Sequence, residues 1–316
     1  MKIAAAVVAG VCAALCFAVQ AQTFPSKPIR WIMPFPPGGP ADAAGRVIAP
    51  KFSERMGQPV IIETRAGASG NLGAEVVLKS APDGYTLFYA ISGMVTNPAF
   101  VIGSPDPRDF TAIGLFMTSP WVILTSNAFT STTLGDVLAA IKAKPGSVSC
   151  GSSGALPTVG CELLRYHAKA DMIMVLYKGN GPAMNALMGG EVNILFDAVA
   201  TAVNQVKGGK VRAVATLNPK RGGMGFPELP IAAETIPNFI FEGWHGVLGP
   251  GGMPRDIVLR MNREFNAVMA SPEVQKIFIP QAFQIVSGPP ELFSDRIRNE
   301  MAMFGKIASD TGIKPQ

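Results

Sequence analysis

From Ile29 onward the chain alternates short, mainly apolar runs with turns rich in Gly, Ser, Asn or Pro and then with Ala-rich stretches of helical character. Ile29–Met33 leads into a helix over Asp42–Met56, Val60–Glu63 into Asn71–Lys79, and Thr86–Ile91 into a short segment over Ser92–Phe100. Further on, Val148–Cys150 precedes Pro157–Ala168, Ile173–Leu176 precedes Gly181–Met188, and Ile194–Phe196 precedes Ala200–Lys207. Short, mainly apolar strands separated by helices predict an α/β class with parallel sheets buried on both sides.

Two stretches break the pattern. WVILTS at 121–126 leads into polar FTSTT, and FIFEGWHGVLGP spans 239–250. If the chain crosses between lobes at both, lobe 1 comprises residues 22–123 plus 244–316 and lobe 2 comprises 124–243. After the return, Asp256–Ala270 places Ile257, Met261, Phe265 and Val268 on one helical face, and Ser271-Pro272-Glu273 starts another helix. Two α/β lobes joined twice make a hinged clamshell, with a ligand cleft where the strand C-termini face each other.

The first 21 residues carry one cation, Lys2, an apolar run from Ile3 to Val19 and a small residue at Ala21. They read as a cleaved secretory signal peptide. Its removal takes the formal net charge from +5 to +4. With no Lys/Arg cluster and no interleaved aromatics, nucleic-acid binding is excluded, and the mild surplus suits an anionic ligand. Cys150 and Cys161 remain, 11 residues apart; the spacing leaves open a disulfide or two buried thiols.

The stretch PFPPGGPAD, 34–42, follows the first strand and precedes the first helix. Its prolines fix φ and withhold donors, while Gly38 and Gly39 leave amides uncovered beside a helix N-terminus, an arrangement suited to an anion. Asp42 is read as balancing the helix start and not as touching ligand. RAGASGNLGA (65–74), ISGMVTN (91–97) and CGSSGALPT (150–158) form three similar turns, and Asp197 ends the strand NILFD, where it can bond a ligand or hold a loop.

Catalytic patterns are missing. YKGNGPAMNALMGG fails as a dinucleotide fingerprint because Met184 replaces the third glycine and Pro182 lacks an amide hydrogen. His167 and His245 have no metal-ligand spacing; the first reads as a helix-end residue and the second as core or hinge packing. No G-x-S-x-G or Walker loop occurs. The chain is expected to be no enzyme and to need neither cofactor nor metal.

The run FPSKPIRWIMPFPPGGPADAAGRVIAPKFSERMGQPVIIETRAGASGNLGAEVVLKSAPDGYTLFYA resembles the N-terminal part of the tripartite tricarboxylate transporter receptors, the Bug or TctC proteins. YKGNGPAMNALMGGEVNILFD, GKVRAVAT and the closing TGIKP resemble the rest of that family. The resemblance implies a two-lobed periplasmic-binding-protein fold of the Venus-flytrap, type II kind. It implies a monomeric periplasmic receptor that captures a small carboxylate (a di- or tricarboxylate, an acidic amino acid or an aromatic acid) for integral-membrane permease subunits. A sensor signalling to a membrane partner is the alternative. Carried over by position, the implied pocket takes Phe35, Pro36 and Gly38 from the first loop and Ala68 and Ser69 from the second. It adds Ser92, Gly93 and Asn97 from the third, Ser152, Ser153 and Thr158 from the fourth, and Asp197. Met94 and Val95 stand where the family often has polar residues, which leaves room for an acid more apolar than citrate.

Overall fold

The computed structural model describes residues 24–38, 40–222 and 225–311; the signal segment at 1–21 lies outside the described residues. Strands β1 (Ile29–Met33), β2 (Val60–Thr64), β3 (Thr86–Ile91), β4 (Thr111–Ser119), β10 (Gly243–Gly249) and β11 (Gln284–Ile285) form one sheet in the order β11-β4-β10-β3-β1-β2. Strands β5 (Trp121–Ser126), β6 (Ser149–Ser152), β7 (Ile173–Leu176), β8 (Ile194–Ala198) and β9 (Val211–Thr216) form a second, in the order β7-β6-β8-β5-β9.

The helices are α1 (Pro40–Met56), α2 (Asn71–Leu78), α3 (Gly93–Phe100), α4 (Leu134–Ala143) and α5 (Ala155–Ala168), then α6 (Asn180–Gly189), α7 (Val199–Lys207), α8 (Arg255–Met269), α9 (Pro272–Phe278) and α10 (Pro290–Thr311).

Strand directions place the rims. β1 lies parallel to β2 and β3, and β10 runs antiparallel to both β3 and β4, so β4 points the same way as β3. In the second sheet β6, β7 and β8 are parallel, while β5 is antiparallel to β8 and β9. Both sheets are therefore mixed, which corrects the all-parallel expectation. The reason is topological: β5 and β10 are entered from a C-terminal rim and must run backwards through their sheets. β4 ends at Ser119 and β5 begins at Trp121, so Pro120 alone separates the sheets. The return strand β10 starts at Gly243, paired with Ser119.

Apolar burial follows the strands. Trp31, Phe52 and Phe265 pack the first sheet against α1 and α8, with Phe52 and Phe265 stacked at 3.7 Å between ring centroids. Helix α10 packs on β4 and α3 of the first sheet's side and on α5 of the second's. Its Phe293, Ile297, Phe304 and Ile307 join a continuous core that contains both Phe88 and Phe196. Ions reinforce this junction: Arg296 bonds Glu242 at 2.9 Å and Glu300 at 2.6 Å, and the Trp244 indole donates to Glu300 at 2.7 Å. Arg296→Met, which leaves two largely buried carboxylates unpaired, is expected to cost roughly 3–5 kcal/mol in urea unfolding. A loss below about 1 kcal/mol, the range of exposed pairs, would count against a structural role for this cluster.

His245 sits in the first sheet's core, its Nδ1 2.8 Å from the Tyr89 hydroxyl and its ring among Phe116 and Phe283. Burial lowers its pKa from 6.5 to about 4. The folded-state value lies below the unfolded one, so the stability that neutral His245 contributes is complete above about 6.5 and is lost as pH falls toward 4. The full loss is roughly 3 kcal/mol. Melting temperatures taken across that window should fall with acid in the parent chain and fall less steeply in His245→Gln.

Candidate functional site

Loops after β1, β2 and β3 share the first sheet's C-terminal rim, and loops after β6, β8 and β9 share the second's. Because one residue connects the rims, they are held close, as a site that grips a ligand from two sides requires.

On the first rim Phe35 is half-buried, whereas Pro36 and Gly38 are exposed. Gly39 lies outside the described residues. The structure departs from the expected free amide at Gly38: its N–H donates to Asp42 Oδ2 at 3.0 Å, and the same oxygen accepts Arg46 Nε at 2.9 Å. Asp42 stands in the first turn of α1 and folds back over the helix start, where its own charge meets the positive dipole end. The hydrogen bond from Arg46, then that from Gly38, holds its carboxyl below the usual aspartate range. The first-turn role read for Asp42 therefore comes at the expense of the Gly38 donor.

The second loop carries the backbone strain. Gly67, Ala68, Ser69 and Gly70 have φ of 138°, 47°, 56° and 95°. For Ala68 and Ser69 this is a costly conformation that persists only when its surroundings impose it, and such strain clusters at ligand clamps. Asn97 imposes it: its Nδ2 donates to the Ser69 carbonyl at 3.0 Å and to Asn71 Oδ1 at 3.3 Å, and Asn71 in turn donates to Ser104 at 3.0 Å. Phe35, Ser69, Asn71, Met94 and Asn97 help line a cavity of about 20 Å³, room for one water. Thus Phe35, Ser69 and Asn97 of the expected set come together there, while Pro36, Gly38, Ala68, Ser92 and Gly93 stand outside the lining. Ser92 is buried and its amide bonds the Trp244 carbonyl at 3.1 Å, tying the third loop to β10. Asn71 and Met94 line the cavity as well: Asn71 lies outside the expected set, although a cap-forming amide in RAGASGNLGA is a sequence signal for it, and Met94 is the position read in the sequence as unusually apolar.

On the second rim the Ser152 and Thr158 hydroxyls lie 2.6 Å apart and both reach the Gly154 carbonyl, at 3.2 and 2.9 Å. Ser153 is half-buried on the same turn. Cys150 and Cys161 are joined as a disulfide, linking β6 to α5 beneath this turn. Asp197 is 3% exposed; its Oδ1 accepts the Ala198 amide at 2.7 Å and the Thr201 hydroxyl at 2.8 Å, and its Oδ2 is buried without a partner. Burial raises its pKa, opposed by the Thr201 hydroxyl, by the nearby Asn180 side chain and by the Ala198 amide. His167 occupies the last turn of α5, against Tyr166 and Phe239. Among the described residues no group of three or more His, Cys, Asp or Glu is placed to hold a metal ion.

Two sheets with abutting C-terminal rims, each presenting small polar loops, define a solute-binding receptor of the two-lobed periplasmic type. The family model described as the tripartite tricarboxylate transporter family receptor matches residues 44–313, and the chain belongs to that family. It is 32% identical to BugT of Bordetella pertussis over 306 residues, covering 94% of this chain and 93% of that protein. Among solved structures, an R. palustris protein with adipate superposes with a TM-score of 0.76 at 27% identity, over 93% of this chain and 100% of that one. The malate-bound MatC of Rhodopseudomonas palustris gives a TM-score of 0.75 at 26% identity, over 90% of this chain and 100% of that one. Family and fold are those of solute-binding receptors and not of enzymes.

Gly38 has φ +87° with nothing within 4 Å of where a Cβ would stand. Gly38→Val should therefore act by straining the backbone and not by a clash. It is expected to weaken ligand binding at least tenfold in calorimetry while far-UV circular dichroism stays unchanged; unaltered affinity would remove this loop from the site.

Proposed function

We propose that this protein captures a small carboxylate in the periplasm and delivers it to integral-membrane permease subunits of the tripartite tricarboxylate type. The observation that carries the reading is the pair of C-terminal rims joined through Pro120, with the one-water cavity and strained Ala68-Ser69 backbone on one side and Ser152, Thr158 and Asp197 on the other. The adipate- and malate-bound relatives support the acid class.

Sheet membership supports lobes divided at Pro120 and just before Gly243, close to the breaks read in the sequence at 124 and 244, and the sequence pattern of residues 1–21 supports an export signal. Ligand bridging the rims gains contacts only when the lobes close, so binding shifts the population toward the closed form. One carboxylate is held at the first rim by backbone amides and the water-sized cavity. The remainder of the ligand runs past Phe35 and Met94 toward the second rim.

Thermal-shift screening of the chain from Gln22 onward, against mono-, di- and tricarboxylates, acidic amino acids and aromatic acids, tests this. A ligand at a hundredfold excess over its Kd stabilises the folded form by about 2.7 kcal/mol, a clear rise in melting temperature. Folded, ligand-stripped protein that responds to no acid would overturn the carboxylate reading.

A further inference from the structure

Asn97 stands in α3, is 4% exposed, and directs its side chain to a loop outside its own helix. That loop, Ala68-Ser69, is exposed at the first rim and runs through left-handed backbone. The flanking Gly67 and Gly70 adopt such backbone freely, whereas a residue with a Cβ adopts it only under restraint. The Gly70 amide closes the turn on the Gly67 carbonyl at 2.9 Å. The bond from Asn97 to the Ser69 carbonyl, at 3.0 Å, reaches the turn from outside.

The directions of these bonds are fixed from both ends. Ser104 donates to the Val101 carbonyl at 2.9 Å, so its oxygen is left to accept Asn71 Nδ2, and the Asn71 amide turns Oδ1 toward Asn97. On the other side the Ser69 carbonyl can only accept. Asn97 therefore presents Nδ2 to both, at 3.0 and 3.3 Å, and its two amide hydrogens are committed inside the protein. What remains is Oδ1, an acceptor, which offers a carboxylate nothing. The end of α3 anchors the network, because the Val101 amide closes back on the Asn97 carbonyl at 2.7 Å.

Resting on the carboxylate-receptor reading, we propose that Asn97 is a positioning residue: it holds Ala68 and Ser69 in the shape that the acid meets, without touching the acid. The family resemblance implies Asn97 as a ligand contact; its spent donors move it one step behind the contacts. Asn71 and Ser104 back it, as links that keep its amide turned toward the loop. The consequence is an energetic coupling between Asn97 and the backbone at position 68. Glycine reaches left-handed backbone unaided, so a glycine at 68 makes the loop less dependent on Asn97, and the two substitutions together cost less affinity than their separate effects predict.

The test pairs two measurements on the chain from Gln22 onward: amide hydrogen exchange without ligand over peptides spanning 65–74, and titration calorimetry with adipate and with malate. Asn97→Leu should speed exchange of the Gly70 amide about tenfold while exchange in β8 stays unchanged, since only the loop is released. It should weaken whichever acid the wild type binds by about tenfold. Ala68→Gly alone should leave affinity within roughly threefold and keep or raise the melting temperature, whereas added to Asn97→Leu it should recover roughly threefold of the lost affinity. Ala68 carries no polar side-chain atom, so that recovery can come only from the backbone. Unchanged exchange at Gly70, unaltered affinity in Asn97→Leu, or a loss that Ala68→Gly does not ease overturns the assignment. If Asn97→Leu does not fold, Asn97→Ala takes its place in both measurements. A loop that stays shut without Asn97 sinks this inference alone, whereas failure of every acid in the thermal-shift panel sinks the carboxylate reading beneath it.

Discussion

The structure depends on a one-residue connection. With Pro120 alone between β4 and β5, the chain cannot travel from one end of a sheet to the other before starting the next. The second sheet must begin where the first one's strands end. Every later feature follows: β5 runs against its neighbours, β8 and β9 finish beside Trp121, and the loops that carry small polar residues converge from both sheets on one seam. Proline suits this position because its fixed φ limits the directions in which the chain can leave β4.

Around that seam the two rims work differently. The first is preorganised by strain: Asn97 clamps a loop in which two non-glycine residues adopt left-handed backbone. Its first loop looks like an open anion cradle in the sequence, yet the Gly38 amide is taken by the protein's own Asp42 carboxylate. The second rim is quieter. Its hydroxyls satisfy one another across Ser152 and Thr158, a disulfide fixes the base of the turn, and its unsatisfied polar atoms sit deeper, at Asp197 and Asn218.

Much of this was legible because local chemistry and tertiary demand agree. The apolar runs at Ile29–Met33 and Thr86–Ile91 are β-rich, wholly buried in the middle of a sheet or nearly so, and flanked by turn residues, so pattern and structure coincide. β10 was less visible: Gly243, Gly246 and Gly249 interrupt its pattern, but they are needed there, since a Cβ on Gly246 would stand 2.4 Å from the Phe293 ring and 2.9 Å from the Gly114 carbonyl. The capping box of Thr133 and Asp136 marks α4 in plain view within FTSTTLGD, although that stretch reads first as a polar break. The fate of the Gly38 amide could not be read, because spacing does not say which way an aspartate four residues on will turn. Asn218 was equally silent: in ATLNPKR it resembles an ordinary Asn-Pro turn, and only burial reveals that its amide is vacant.

The pairing of Ser119 with Gly243 has a mechanical meaning. The outgoing and returning chains are neighbours in one ladder, about 5 Å apart, so the covalent links between the sheets lie side by side. Helix α10, packed on β4 and on α5, adds a third tie away from that seam. Any displacement of one sheet against the other must therefore either carry α10 along with one of them or stay small enough for its packing to survive.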